Sequence, residues 1–296
     1  MLPPPRAIYC RVRDRSAWLA LIVVLSVIGT SCAATSRTVS KPWVVERDVE
    51  YVKRGDQVLH ADVYMPAGAG PFPAVLLVHG GSWQRGDKRR MASIGERLAE
   101  RGYVGVSIDY RLAPEYRFPA QLYDCQAALR WMRENAERLQ LDPQRIAGFG
   151  YSAGGHLVGM LATAGDGDGL DENPALPGSS ARLQAAVLGG APIALERLRA
   201  NFAVERLLGA SAAERPDLYT RASPLTFVTP DDPPVFLYHG SADWIVDASQ
   251  PLLLREALER AGVRSAYYEA PGGHIATFLQ DEEPVSRAID FLDSSL

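Results

Sequence analysis

Residues 148–159 read GFGYSAGGHLVG, and their spacing supports two different chemistries. As G-x-G-x-x-A, Gly148, Gly150 and Ala153 form a loose dinucleotide fingerprint, in which backbone amides hold a phosphate. As G-x-S-x-G, Gly150 and Gly154 flank Ser152, and the serine is a nucleophile on a tight strand-to-helix turn. The phosphate reading needs an early strand–helix unit and an acidic residue closing the next strand. Here the turn lies mid-chain, and the acids about twenty residues on, Asp171 and Glu172, fall in the Gly/Pro-rich stretch GDGDGLDENPALPGSSA. The nucleophile reading fits better. RIAGFG supplies a strand, AGGHLVGMLA a helix, and the glycines leave room where the two close on each other. Ser152 then stands at a helix N-terminus, where free amides favour developing negative charge.

A nucleophilic serine needs a base, and the base needs an orienting acid. Of the histidines at 60, 79, 156, 239 and 274, only His239 and His274 lie well downstream of Ser152. His239 ends the apolar run PVFLYH and reads as structural, with Asp243 four residues later. His274 follows AYYEA in the turn PGGH. Ser152, Asp243 and His274 therefore each sit just beyond a strand C-terminus. In one parallel sheet such ends open on a single edge, where ligands bind. Asp247 is the rival acid. His79-Gly80-Gly81-Ser82-Trp83 closes another buried run, AVLLV, and its glycines let amides face a substrate oxygen. His79 reads as ordering its loop, His156 as packing one turn beyond Ser152, Trp83 as a wall of the pocket, and Cys125 as core. Trp83 and the aromatics of YRLAPEYRF are expected to enclose a compact pocket.

The elements that must hold these residues are legible from periodicity. WVVERDVEYV and QVLHADVYMP alternate around KRGD, a hairpin signal. AVLLVHGG, YVGVSIDY, QRIAGFG, LQAAVLGGA, PPVFLYHGS and SAYYEAPGG are strand-like, the first two as continuous buried runs. Helical spacing occupies about 88–101, 119–139, 152–163, 249–262 and 282–295, the second opening on Pro119. Residues 195–232 hold short helical pieces. Alternation of strands and helices means a mostly parallel sheet with helices on both faces, an α/β class, preceded by an antiparallel hairpin.

The segments HGGSW, YRLAPEYRFPAQLYDCQAALRWM, GYSAGGHL, HGSADWIV and GGH, in this order, resemble the α/β-hydrolase fold family. They are similar above all to bacterial acetyl-esterase and hormone-sensitive-lipase-like carboxylesterases, over about residues 43–296. The resemblance implies a Ser152–His274–Asp243 triad, with oxyanion-hole amides from Gly81, Ser82 and Ala153. It departs at Ser82, where the lipase-like group often has a third glycine. H-G-G-x-W also occurs in kynurenine formamidases. The reading is hydrolysis of small-molecule carboxylic esters, with short acyl chains, through an acyl-enzyme and without a cofactor. An amide-cleaving enzyme on the same fold is the alternative, and an envelope-anchored binding protein with a relic triad is a second.

Composition agrees with that class. The chain has 296 residues, 47% of them hydrophobic, and a net charge of −4, which gives no footprint for nucleic acid. No H-E-x-x-H or paired-cysteine pattern calls for a catalytic metal. DGDGLDEN lacks the spacing of a calcium loop. The start is basic, through Arg6, Arg11, Arg13 and Arg15, then apolar over AWLALIVVLSVI, then small in GTSCAAT. That is the layout of an export signal. IGTSC resembles a lipobox, with Gly29 where Leu is commonest, and makes Cys32 the candidate lipidated residue. The expected organisation is an export signal over 1–31, a polar spacer over 32–42, and a catalytic domain over 43–296. The protein is then exported to the bacterial envelope, lipid-anchored or periplasmic, or secreted.

Lipidation has a direct test. A lipoprotein carries several acyl chains, enough for stable anchoring. Cys32→Ala is expected to shift the protein from the membrane to the soluble fraction. Equal soluble protein for wild type and variant would reject lipidation.

Overall fold

The computed structural model describes residues 42–165, 167–172, 180–198, 202–279 and 282–296. The export signal and Cys32 lie outside them. Among the described residues, eight strands form one sheet: β1 (Trp43–Arg54), β2 (Gln57–Pro66), β3 (Phe72–Val78), β4 (Val104–Ile108), β5 (Leu141–Tyr151), β6 (Ala185–Gly189), β7 (Val235–Gly240) and β8 (Ser265–Ala270). Their spatial order is β1-β2-β4-β3-β5-β6-β7-β8. β1 and β2 form the expected antiparallel hairpin, and β2 joins β4 antiparallel. All remaining pairs are parallel.

The strands are buried on both faces because their side chains alternate between two apolar layers. In β3, Ala74, Leu76 and Val78 face one layer, and Val75 and Leu77 the other. The first layer is closed by α2 (Ala120–Glu134), α4 (Ala153–Thr163) and α7 (Ser249–Ala261), through residues such as Leu129, Leu157 and Leu258. The second is closed by α1 (Ala92–Glu100) and α9 (Glu282–Asp293), through Ile94, Leu98, Val285 and Ile289. The shorter helices are α3 (Ala136–Leu139), α5 (Phe202–Leu208), α6 (Pro216–Arg221) and α8 (His274–Leu279). Pro119 stands just outside α2, at its N-cap, rather than within its first turn. Cys125 is fully buried on α2, as its neighbours predict. Among the described residues, no helix is long and apolar enough to cross a membrane.

The order of the strands positions the site. From β3 the chain moves outward to β4 on one side, and from β5 it runs through β6, β7 and β8 on the other. The reversal lies between β3 and β5, whose C-terminal ends are level at Val78 and Gly150. At such a switch point the following loops diverge and leave a crevice. The HGGSW loop leaves β3 there, and Ser152 leaves β5. Asp243 and His274 follow β7 and β8 at the same edge.

Candidate active site

Ser152 has φ 55° and ψ −121°, a conformation that costs a non-glycine residue on the order of 1–3 kcal/mol. Its neighbours impose it. A Cβ at Gly150 would strike the backbone of Gly154, and a Cβ at Gly154 would strike the Val78 carbonyl. The Ser152 amide donates to the Gly189 carbonyl at 2.7 Å, which ties the turn to β6. The side chain is thereby lifted clear of strand and helix, and α4 begins immediately after it.

Three sequence-predicted residues meet at this point. His274 Nε2 lies 2.8 Å from Ser152 Oγ, and His274 Nδ1 lies 2.6 Å from Asp243 Oδ2. A carboxylate accepts only, so Nδ1 carries the proton and Nε2 is left to accept from the serine hydroxyl. His274 is held by Tyr151, whose hydroxyl donates to the His274 carbonyl at 2.6 Å and whose ring lies 5.2 Å from the imidazole. Asp243 is buried. Its Oδ1 accepts from the amides of Ile245 and Val246, each at 2.9 Å. Its Oδ2 also lies 3.2 Å from His239 Nε2. Burial alone would raise its pKa. The bonds from His239, His274 and the Val246 amide outweigh that and hold the carboxyl well below the usual range. The rival Asp247 is exposed and accepts from the Ser249 amide instead.

The HGGSW loop faces Ser152 across the crevice. Ser82 and Trp83 have φ of 56° and 58°, and Gly81 has φ 132°. The Gly81 carbonyl turns back to accept from the Gln84 and Arg85 amides. Gly81 and Ser82 line the cavity beside Ser152. Ala153 opens α4, so its amide has no acceptor within the helix. His79 donates from Nδ1 to the Gly80 carbonyl at 2.9 Å and stacks on Tyr110 at 4.3 Å, which orders the loop as its sequence position suggests. Burial lowers its pKa.

Trp83 corrects an expectation. It is 3% exposed and does not reach the cavity. Its indole donates at 3.2 Å to His156 Nδ1, while His156 Nε2 donates to the Ala222 carbonyl at 2.7 Å. An indole N–H can only donate, and it takes up the free ring nitrogen of a buried histidine. The aromatics of YRLAPEYRF are likewise elsewhere: Tyr110 under His79, Tyr116 beneath Arg111, and Phe118 against His156. The cavity, about 340 Å³, is instead walled by Tyr151, Ile245, Ile275 and Phe278, with Arg85 and Arg90 opposite the apolar residues in character. Trp244 and Leu279, 85% and 73% exposed, belong to the same 244–246 loop and α8 as these residues. Their signal in the sequence was adjacency. Ile245 and Ile275 each lie within two residues of Asp243 or His274.

Two acids of the GDGDG loop have structural partners. Asp171 pairs with Arg130 at 2.5 Å and Glu172 with Arg54 at 2.6 Å. Among the described residues no group of His, Cys, Asp and Glu is arranged to hold a metal ion.

Comparison with known proteins places the chain in a family. The BD-FAE family model matches residues 61–258, about two thirds of the chain. This chain belongs to the BD-FAE family. It has the α/β-hydrolase fold. Within 217 aligned residues it is 35% identical to Esterase LipC of Mycobacterium tuberculosis (strain ATCC 25618 / H37Rv), covering 69% of this chain and 53% of that protein. To the Arylesterase of Saccharolobus solfataricus it is 42% identical over 113 residues, 38% of this chain and 37% of that one. The chain spans about half the length of the first curated relatives it matches. Among solved structures, a truncated carbohydrate esterase from gut microbiota superposes with a TM-score of 0.76 at 26% identity, over 86% of this chain and 98% of that one. A butyrate-bound thermophilic esterase from the Planctomycetes species Thermogutta terrifontis superposes with a TM-score of 0.72, also at 26% identity, over 84% and 94%.

The burial of His156 makes folding pH-dependent. Burial pulls the His156 pKa down to about 4, against about 6.5 in the unfolded chain. Between those values the unfolded state binds more protons than the folded one. This group's contribution is therefore present above about pH 6.5 and is lost as pH falls to about 4, by roughly 3 kcal/mol in all. Urea midpoints at pH 7, 5.5 and 4.5 check this against His156→Gln, which cannot titrate. The variant is expected to be less stable at pH 7 and to lose less on acidification. An equal loss for both proteins would refute it.

Proposed function

We propose that this protein is a serine carboxylesterase, with Ser152 as nucleophile, His274 as general base and Asp243 as the orienting acid. The observation that carries the reading is the continuous row Ser152 Oγ–His274 Nε2, His274 Nδ1–Asp243 Oδ2, at 2.8 and 2.6 Å, at a switch point of the sheet. Ser152 Oγ attacks the acyl carbonyl as its proton passes to His274 Nε2. Asp243 fixes the imidazole with Nδ1 protonated and stabilises the imidazolium that forms. The tetrahedral oxyanion takes hydrogen bonds from the Ala153, Gly81 and Ser82 amides. His274 then protonates the leaving alcohol. Water, deprotonated by the same histidine, attacks the acyl-enzyme and releases the carboxylic acid. No step needs a cofactor.

The acyl group is short, of about two to four carbons. Support comes from the size of the cavity and the two guanidinium groups on its wall, together with the butyrate held by the Thermogutta terrifontis esterase. The protein acts after export, in the envelope or outside the cell. Lipid attached at Cys32 provides the anchor.

Ser152→Ala is expected to lower kcat by roughly 10³ to 10⁶ while folding stays intact, because the members of such a row act as a unit. Near-wild-type turnover by the purified variant would dismiss the nucleophile. For acyl length, kcat/KM for p-nitrophenyl acetate, butyrate, octanoate and palmitate is the measurement. A decline beyond butyrate is expected, although each buried CH₂ would gain roughly 0.8 kcal/mol in an apolar site. A rise toward palmitate would overturn the short-chain reading.

A further inference from the structure

The cavity that holds Ser152 is electrically one-sided. Arg85 and Arg90 line it, and none of its lining residues is acidic. Both guanidinium groups lack an ion-pair partner among the described residues. Two acids that share the surroundings of His79 with Arg90 are engaged elsewhere: Asp87 accepts from Arg89 at 3.0 and 2.6 Å, and Asp109 accepts from the Lys88 amide and ammonium at 2.9 and 3.3 Å. Most arginines around the fold differ. Arg47, Arg54, Arg101, Arg111 and Arg130, for instance, each meet a carboxylate.

Their attachment is also specific. The Arg85 amide donates to the Gly81 carbonyl at 3.2 Å, and a Cβ on Gly81 would collide with the Arg85 carbonyl. The Arg85 stem therefore springs from backbone packed directly on a proposed oxyanion donor. Arg90 sits in the one-turn helix Lys88–Met91, capped by the Asp87 side chain. Two forked cations thus stand on firm backbone in the same cavity as the nucleophile. A guanidinium pairs with a carboxylate through charge-assisted, two-pronged bonds. Ile245, Ile275 and Phe278 line the same cavity and offer apolar contact to the uncharged part of a ligand.

We infer that Arg85 and Arg90 form an anion subsite within the catalytic cavity, and that the preferred esters carry a free carboxylate. The inference deepens the esterase reading above and rests on it. The subsite binds and orients. Arg85 and Arg90 are specificity residues, with no part in proton transfer.

The test uses matched ester pairs. Mono-p-nitrophenyl succinate and p-nitrophenyl butyrate share a four-carbon acyl chain, ending in a carboxylate or a methyl group. 4-Acetoxybenzoate and its methyl ester place the charge on the alcohol side instead. The readout is the ratio of kcat/KM, charged over neutral, so losses common to both esters cancel. In the Arg85→Gln/Arg90→Gln double variant this ratio is expected to fall about tenfold for at least one pair, mainly through KM of the charged ester. About 0.5 M NaCl is expected to bring the wild-type ratio toward that of the variant. Ratios equal within about twofold for both pairs would overturn the subsite. Binding of mono-p-nitrophenyl succinate to Ser152→Ala protein, with and without the two arginines, gives a second readout that needs no turnover. A Kd about tenfold weaker without them is expected, and equal Kd values would overturn the proposal. If wild type hydrolyses none of the four esters, the esterase reading fails, and the Kd comparison alone decides the subsite.

Discussion

The backbone conformation of Ser152 is the constraint on which the rest of the site depends. A β-carbon-bearing residue holds φ 55° only where its surroundings leave no alternative. Here β3, β5 and the first turn of α4 crowd one another at Gly150 and Gly154, and the Ser152 amide is committed to Gly189. Relaxing the serine would mean separating a helix from the centre of an eight-stranded sheet. The packing energy of the whole central layer therefore maintains one strained residue. In return, the hydroxyl and the first amide of α4 are presented together at the sheet edge.

The loop opposite is fixed by independent means. Its own strained residues, Ser82 and Trp83, are held because Trp83 reaches the buried His156 on α4. One wall of the crevice is thus bonded to the helix that starts at the other. His79 and Tyr110 stack beneath, and the Tyr110 hydroxyl donates to the His79 carbonyl. Amides placed this way are already oriented before a substrate arrives, as the proposed stabilisation of developing charge by fixed dipoles requires.

Much of this was legible in the sequence, for reasons that differ by element. Buried strands such as AVLLV announce themselves because both faces of a parallel sheet must be apolar. Ser152, Asp243 and His274 were legible because glycine-bounded turns and strand ends confine where such residues can sit. The inward position of Trp83 is not legible, because the type of a side chain does not say which of two sides of a loop it takes. Only the positive φ at Ser82 and Trp83 turns it inward, and nothing in the letters SW encodes that. The place of His239 at the end of an apolar run suggests a structural residue only. Its approach to Asp243 depends on how the 241–246 loop curls back over β7, a tertiary fact. The cavity walls at Ile245, Ile275 and Phe278 come from segments that periodicity assigns only to a loop and a short helix.

The Asp243 pocket has a further consequence. Three N–H groups are committed to its two oxygens, two rigid backbone amides on Oδ1 and His274 on Oδ2, while His239 Nε2, which donates to the Val246 carbonyl at 2.8 Å, stands 3.2 Å from Oδ2. Such a socket accepts an anion and discriminates against its neutral twin. An asparagine of identical shape would have to turn its NH₂ away from the amides, since these cannot exchange roles. The NH₂ would then face His274 Nδ1, which could meet it only by giving up its proton and moving that proton to Nε2. The imidazole would confront Ser152 with a donor where the proposed mechanism requires a lone pair. Replacing one oxygen by nitrogen would thus reverse the polarity of a ring edge on its far side, without displacing any atom of Ser152.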